Sequence, residues 1–149
     1  MSLGNTAESD ILLLLFNNTN WALMGDAAGL IGSTVPGSFF VSLATGDPGE
    51  GGTQLTTEAA YTGYGRVPVA RSGAGWTKSG SAPTQVANTA AVTFGQSSSG
   101  PEIETYFVVG RDTAGAGEIL WSGILTASLT VNNLVTPSFA IGALICTAD

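Results

Sequence analysis

The chain has no histidine and only four basic residues in 149 positions: Arg66, Arg71, Lys78 and Arg111. Histidine is the side chain whose ordinary pKa lies nearest neutrality, so its absence removes the commonest general base and the commonest metal ligand. Nucleophilic Ser–His and Cys–His pairs are excluded with it. A single cysteine, Cys146, rules out a disulfide within the chain and leaves zinc without a ligand set. It lies in the apolar run Ala140–Cys146 and reads as a buried small hydrophobe. Charged residues make up 10% of the sequence, against a usual quarter or so. A lone soluble monomer seldom presents so little charge, and much of the surface is expected to be covered by sister subunits or a larger assembly. Long apolar runs are missing too. Ile11 to Phe16 falls far short of the roughly 20 residues a membrane-spanning helix needs. Glu8 and Asp10, not positive charge, stand before it, unlike a secretory signal. The chain reads as made and folded in the cytoplasm.

The reactive side chains that remain do not assemble into a familiar site. Ser79 follows Lys78 in a predicted strand and points to the opposite face, so the two do not form a Ser–Lys pair. Glu102 and Glu104 share one face of a predicted strand, and Asp47 and Glu50 share a loop. Both pairs read as solvated charges on an acidic surface, not as the two carboxylates of glycoside hydrolysis. Calcium takes oxygen ligands, but Gly46-Asp47-Pro48-Gly49-Glu50-Gly51-Gly52 lacks the acid spacing of calcium loops and reads as a turn. No glycine-rich stretch ends in Gly-Lys-Ser/Thr or carries G-x-G-x-x-G between strand and helix. No cofactor or metal is expected, and no catalytic residue is assigned. A net charge of −7 opposes direct binding to nucleic acid and to anionic membranes.

The patterning predicts a mainly β fold: an antiparallel β-sandwich or barrel of about seven to eight short strands with one N-terminal helix. No β-α-β alternation suggests a parallel sheet. The helix is predicted from Asn5, with Asn5 as cap and Glu8 completing a capping box. Ile11 to Phe16 is apolar all round, which predicts a helix sandwiched between surfaces. Asn17-Asn18-Thr19-Asn20 ends it, and Trp21, Leu23 and Met24 extend a short second turn before a loop over 25–37. Strands are predicted at 38–45, 66–71, 76–79, 90–94, 103–110, 118–127, 129–131 and 137–147. Pro68 demotes the second to an edge or an irregular pairing. Residues 46–65 read as a long exposed loop. Residues 1–36 form an N-terminal helix and docking segment, and 37–149 one compact β domain.

In a chain so short of charge, Glu58, Arg66 and Arg71 stand out. Arginine makes bidentate contacts that can pin a loop or a subunit interface. With the apolar helix residues Ile11, Leu12, Leu15 and Phe16, and with Trp21, they are the candidate interface residues.

Several segments, in order, resemble a family of small virion proteins of tailed bacteriophages. They are Ser2–Leu12, Phe16-Asn17 with Trp21, Phe40–Leu43, Asp47–Gln54, Glu58–Tyr64, Arg66-Val67, Ala70–Trp76 and Thr136–Ala140. Such proteins are commonly labelled tail-fibre or minor structural proteins; where this chain departs from the family pattern, at 82–88 and 95–101, the residues look like locally variable loops. The resemblance implies a structural component of the virion, assembled in the host cytoplasm, with no catalytic residues to carry over. Size and low charge favour a capsid decoration (cement) protein, binding the major capsid protein and itself as a homotrimer and stabilising the head. The alternative is a tail or tail-fibre component involved in host recognition, marked by exposed aromatics such as Tyr61, Tyr64 or Trp76 on a distal loop.

Overall fold

The computed structural model of the protein describes residues 3–80 and 83–148. The first two residues of the expected docking segment, Ala82 of the expected loop, and Asp149 lie outside the described residues. Among these there are one helix, α1 (Asn5–Asn17), and nine strands. The strands are β1 (Ser38–Ala44), β2 (Val67–Ala70), β3 (Trp76–Ser79), β4 (Thr84–Asn88), β5 (Val92–Thr93), β6 (Glu102–Gly110), β7 (Ile119–Val131), β8 (Ser138–Phe139) and β9 (Ile145–Ala148). They form three open sheets, ordered β2-β1-β6-β7, β3-β4-β9 and β5-β8. The fold is mainly β and antiparallel as expected. No described sheet closes on itself, so the barrel alternative falls.

Contacts divide the chain into two compact units that interleave along the sequence. The first comprises 1–38, 69–91 and 139–149; the second comprises 39–68 and 92–138.

In the first unit α1 packs on β3, β4 and β9. Glu8, Leu12 and Phe16 are its buried residues, spaced by four and so aligned on one face. The Phe16 ring meets Trp76 edge to face, centroids 4.7 Å apart. Ile11, Leu13, Leu14 and Leu15 are only half-buried, so the helix lies on one surface and is not sandwiched. The expected capping box does not form. Gly4 takes the cap position with extended backbone and no side-chain bond. Glu8 is drawn inward, where its Oε2 accepts from the Thr84 N–H at 3.4 Å. The helix stops where expected: Asn18 turns left-handed (φ 56°), a conformation asparagine tolerates better than most residues. No second helical turn follows among the described residues; Trp21 pairs with Leu30 in an isolated antiparallel bridge.

Residues 84–88, expected as loop, are the middle strand of this unit's sheet. Alternate residues Thr84, Val86 and Asn88 are buried, and the polar Asn88 is fully satisfied. Its Nδ2 donates to the Ala90 and Ala140 carbonyls and its Oδ1 accepts from the Leu144 N–H. The expected strand 137–147 is instead two, β8 and β9, parted by a turn.

In the second unit β1 pairs with β6, and β6 with β7. β1 is almost wholly buried, as a central strand should be. β2, with Pro68, lies at one edge as expected, and β7 at the other. The two strands expected at 118–127 and 129–131 are one. The apparent break is an irregularity: Glu104 faces Leu129 and Tyr106 faces Ile124, so residues 125–128 stand opposite Thr105 alone. Residues 46–65 carry no strand, but Gln54, Ala59 and Tyr61 within them are buried, so the loop is not exposed throughout.

Candidate functional site

The strongest polar cluster lies in the second unit and starts from Glu58, which sits beside Ala44 in a one-residue bridge at the end of β1. Arg66 meets it fork to fork, Nε to Oε1 at 2.6 Å and Nη2 to Oε2 at 2.7 Å. The Arg66 side chain is only 2% exposed. Tyr64 donates its hydroxyl to Glu58 Oε1 at 2.9 Å and accepts from the Leu43 N–H. The pairing with Glu58 raises the Arg66 pKa against the opposing effect of burial. Burial, then the Glu58 carboxylate, raises that of Tyr64.

The remaining Arg66 donors reach the β6–β7 turn, bonding the carbonyls of Asp112 at 2.9 Å and Gly115 at 2.7 Å. Gln54 holds the same turn from its other end. Its backbone N–H donates to Gly117 O, and its Oε1 accepts from the Asp112 N–H, both at 2.8 Å. Glycine at 110 and 117 makes room, since a Cβ at either would run into the Gln54 side chain. Two buried side chains thus fix a turn whose outer residues, Thr113, Ala114 and Ala116, are exposed. Arg111 and Glu118 flank it with an exposed ion pair at 3.2 Å.

Glu58 and Arg66 therefore come together; Arg71 does not join them. It belongs to the first unit, where it donates to the carbonyls of Leu14, Leu15 and Pro36. A cation there suits the negative end of the α1 dipole. Leu12 and Phe16 are spent on that unit's own core, while Ile11, Leu15 and Trp21 are half-buried.

A second carboxylate pair departs from its expected surface role. Glu104 is fully buried, beside the carboxyl group of Glu102. Burial, and then the neighbouring Glu102, pushes its pKa up to about 8. Glu102 is engaged by the backbone: its Oε1 accepts from the N–H groups of Ala60 and Tyr61. Sequence alternation located this pair but not its burial, because a carboxylate in a strand ordinarily reads as a solvent-facing residue. Gln54 went unnoticed for a similar reason, lying in a stretch that reads as loop.

Asp47 accepts from the Gly49 N–H, which caps a turn as expected. Among the described residues no group of three or more His, Cys, Asp or Glu could hold a metal. The aromatics expected to mark a receptor loop are not displayed. Tyr61 and Trp76 are buried, and Tyr64 is half-buried against Glu58.

A β-rich chain that spends its scarce charges on fixing a turn and a helix end is built to hold shape, and it falls among structural proteins. Residues 3–147 match the Gp80 family, described as podophage GP4 fiber I protein gp80. The match spans nearly the whole chain, which belongs to this family of phage virion structural proteins and takes its place in the assembled virion. No curated protein matches the chain.

Proposed function

We propose that the protein is a fibre component of a podophage particle, a small β-rich part that presents a rigid turn and packs against other virion proteins. The match of residues 3–147 to a family described as a podophage fibre protein carries this reading. The fixed turn at 112–117 supports it, because a loop ordered before contact loses less conformational freedom on binding. In this reading the chain performs no reaction. Contact with a host surface, if it is made by this chain, falls to the exposed turn and its Arg111–Glu118 flank, since Tyr61 and Trp76 are buried.

A second reading is the capsid decoration protein, a homotrimer on the major capsid protein that reinforces the head. Small size and low charge favour it. Of the helical residues it would use for docking, however, Leu12 and Phe16 are buried in the first unit, while Ile11 and Leu15 are half-buried. Electron microscopy of virions labelled with an antibody to this chain separates the two. Label at the fibres is expected. Label spread over the head overturns the fibre reading in favour of decoration.

A further inference from the structure

Two carboxyl groups meet in the second unit without a cation between them. Glu102 and Glu104 stand two residues apart on β6, so their side chains leave the same face of the strand. Glu104 is fully buried beside the half-buried Glu102. Among the described residues neither forms an ion pair, and β1 and β7, which flank β6, contain no charged residue. From the segment packed against the pair, Tyr61 is the titratable group that feels both carboxyls. It is buried, its hydroxyl donates to the Gly95 carbonyl at 3.2 Å, and burial, then Glu104 and Glu102, pushes its pKa up to about 12. Glu58 and Tyr64, on either side of Tyr61 in sequence, are bonded to each other, and Glu58 to Arg66.

The pair also holds a piece of backbone. The Ala59 N–H donates to the Leu43 carbonyl and the Thr62 N–H to Ser99 Oγ, each at 2.9 Å. Between these fixed points the N–H groups of Ala60 and Tyr61 both end on Glu102 Oε1, at 2.8 and 3.2 Å. An oxygen that accepts two N–H donors suits a carboxylate, which leaves the proton to Glu104. Two adjoining carboxyls cannot both ionise without a large cost when one of them is shut away from water. One proton therefore keeps the pair together, and the pair keeps Ala60 and Tyr61 in place.

We propose that Glu102 and Glu104 act as a one-proton latch on residues 60–61: the segment is closed while Glu104 holds its proton, and opening it releases that proton to water. The closed segment holds the proton up to about pH 8, whereas an opened one, with water around Glu104, gives it up near the ordinary 4.5. Opening is thus rarest in acid, grows about tenfold per pH unit between those values and levels off near pH 8. What lies beneath the latch is aromatic. Tyr61 meets Tyr64 edge to face, centroids 5.3 Å apart, and Tyr64 stacks on Phe94. A tyrosine ring closed off in acid is therefore offered more often as pH rises, wherever in the virion the chain stands.

Native-state hydrogen exchange of the full chain, followed by NMR in dilute urea between pH 5 and 8, tests it. Each rate is divided by the intrinsic rate at the same pH to give a protection factor. At Ala60 and Tyr61 protection should fall about tenfold per pH unit. It should respond little to urea and stay about tenfold or more below that of Val108 and Val109, the mark of an opening smaller than global unfolding. Glu104→Gln should abolish the fall. Glu102→Gln, which keeps an acceptor for both N–H groups but removes the neighbouring charge, should end it at lower pH. Protection at Ala60 and Tyr61 that is indifferent to pH overturns the proposal. Protection equal to that of Val108 and Val109, with the same urea dependence, also overturns it, because the segment then opens only when the whole protein unfolds. A fall that persists unchanged in Glu104→Gln does so as well.

Discussion

Arg66 and Glu58 form a bidentate pair almost wholly withdrawn from solvent, with two contacts at 2.6 and 2.7 Å. The same guanidinium fastens the turn between β6 and β7. Removing one partner of a buried pair strands the other charge, which costs about 3–5 kcal/mol. Arg66→Ala should destabilise the protein by that amount in urea unfolding. Arg66→Lys keeps the charge but loses the fork, and should recover less than half of the loss. Hydrogen exchange at Asp112–Gly117 should accelerate in both variants.

Glu104 gives the protein an unusual dependence on pH. Its pKa is about 8 when folded against an ordinary 4.5, so between these values the folded state holds a proton that the unfolded state releases. Stability from this group is full below about pH 4.5 and declines as pH rises, by up to about 1.4 kcal/mol per unit, until it levels off near pH 8. Glu104→Gln, which is neutral throughout, should raise the melting temperature at pH 8.5 and have little effect at pH 5. Equal effects at both pH values would show that Glu104 is ionised and accommodated in the folded protein.

Arg71 closes the end of α1 through the carbonyls of Leu14 and Leu15. Hydrogen bonds from a charged donor are worth about 1.5–3 kcal/mol. Arg71→Met, which keeps the apolar stem, should cost about 2 kcal/mol and reduce the helical signal near 222 nm. Retention of full stability would show that water replaces the guanidinium without loss.

Cys146 lies on β9 at 1% exposure, and burial pushes its thiol up to about 12. The thiolate is the reactive form. A disulfide reagent at pH 8 should leave the native protein unmodified for hours and label one thiol per chain at once in denaturant. Prompt labelling under native conditions would reveal opening of β9.

The sequence revealed local features more readily than partners distant along the chain. β1 and β6 are rich in aromatic and β-branched residues and declared themselves, as did the edge position of β2 through Pro68. Glu58 and Arg66 were legible as a pair because so few charges compete for them. β4 was not. Thr84 and Asn88 look like loop residues, yet Glu8, Ala140 and Leu144 bond the Thr84 N–H and the Asn88 amide from far away in the sequence, while the Thr84 hydroxyl is buried with no hydrogen-bond partner among the described residues. The helix cap was misplaced by one residue because Glu8 is bonded across to Thr84 instead of back to its own turn. The burial of Glu104 carried no local signal, since it depends on what packs over that part of β6.

The sheet β3-β4-β9 and the helix upon it join residues near the start of the sequence to others near its close. Translation makes α1 well before β9, yet the surface the helix packs on is complete only after β9 has left the ribosome. Until then Leu12 and Phe16 have only part of their cover, and contacts of such sequence separation form slowly. A chain interrupted before β9 therefore lacks a finished first unit. Dependence on β9 ties the stability of α1 to synthesis of that distant strand, so that copies interrupted before it remain distinguishable from subunits ready to enter a particle.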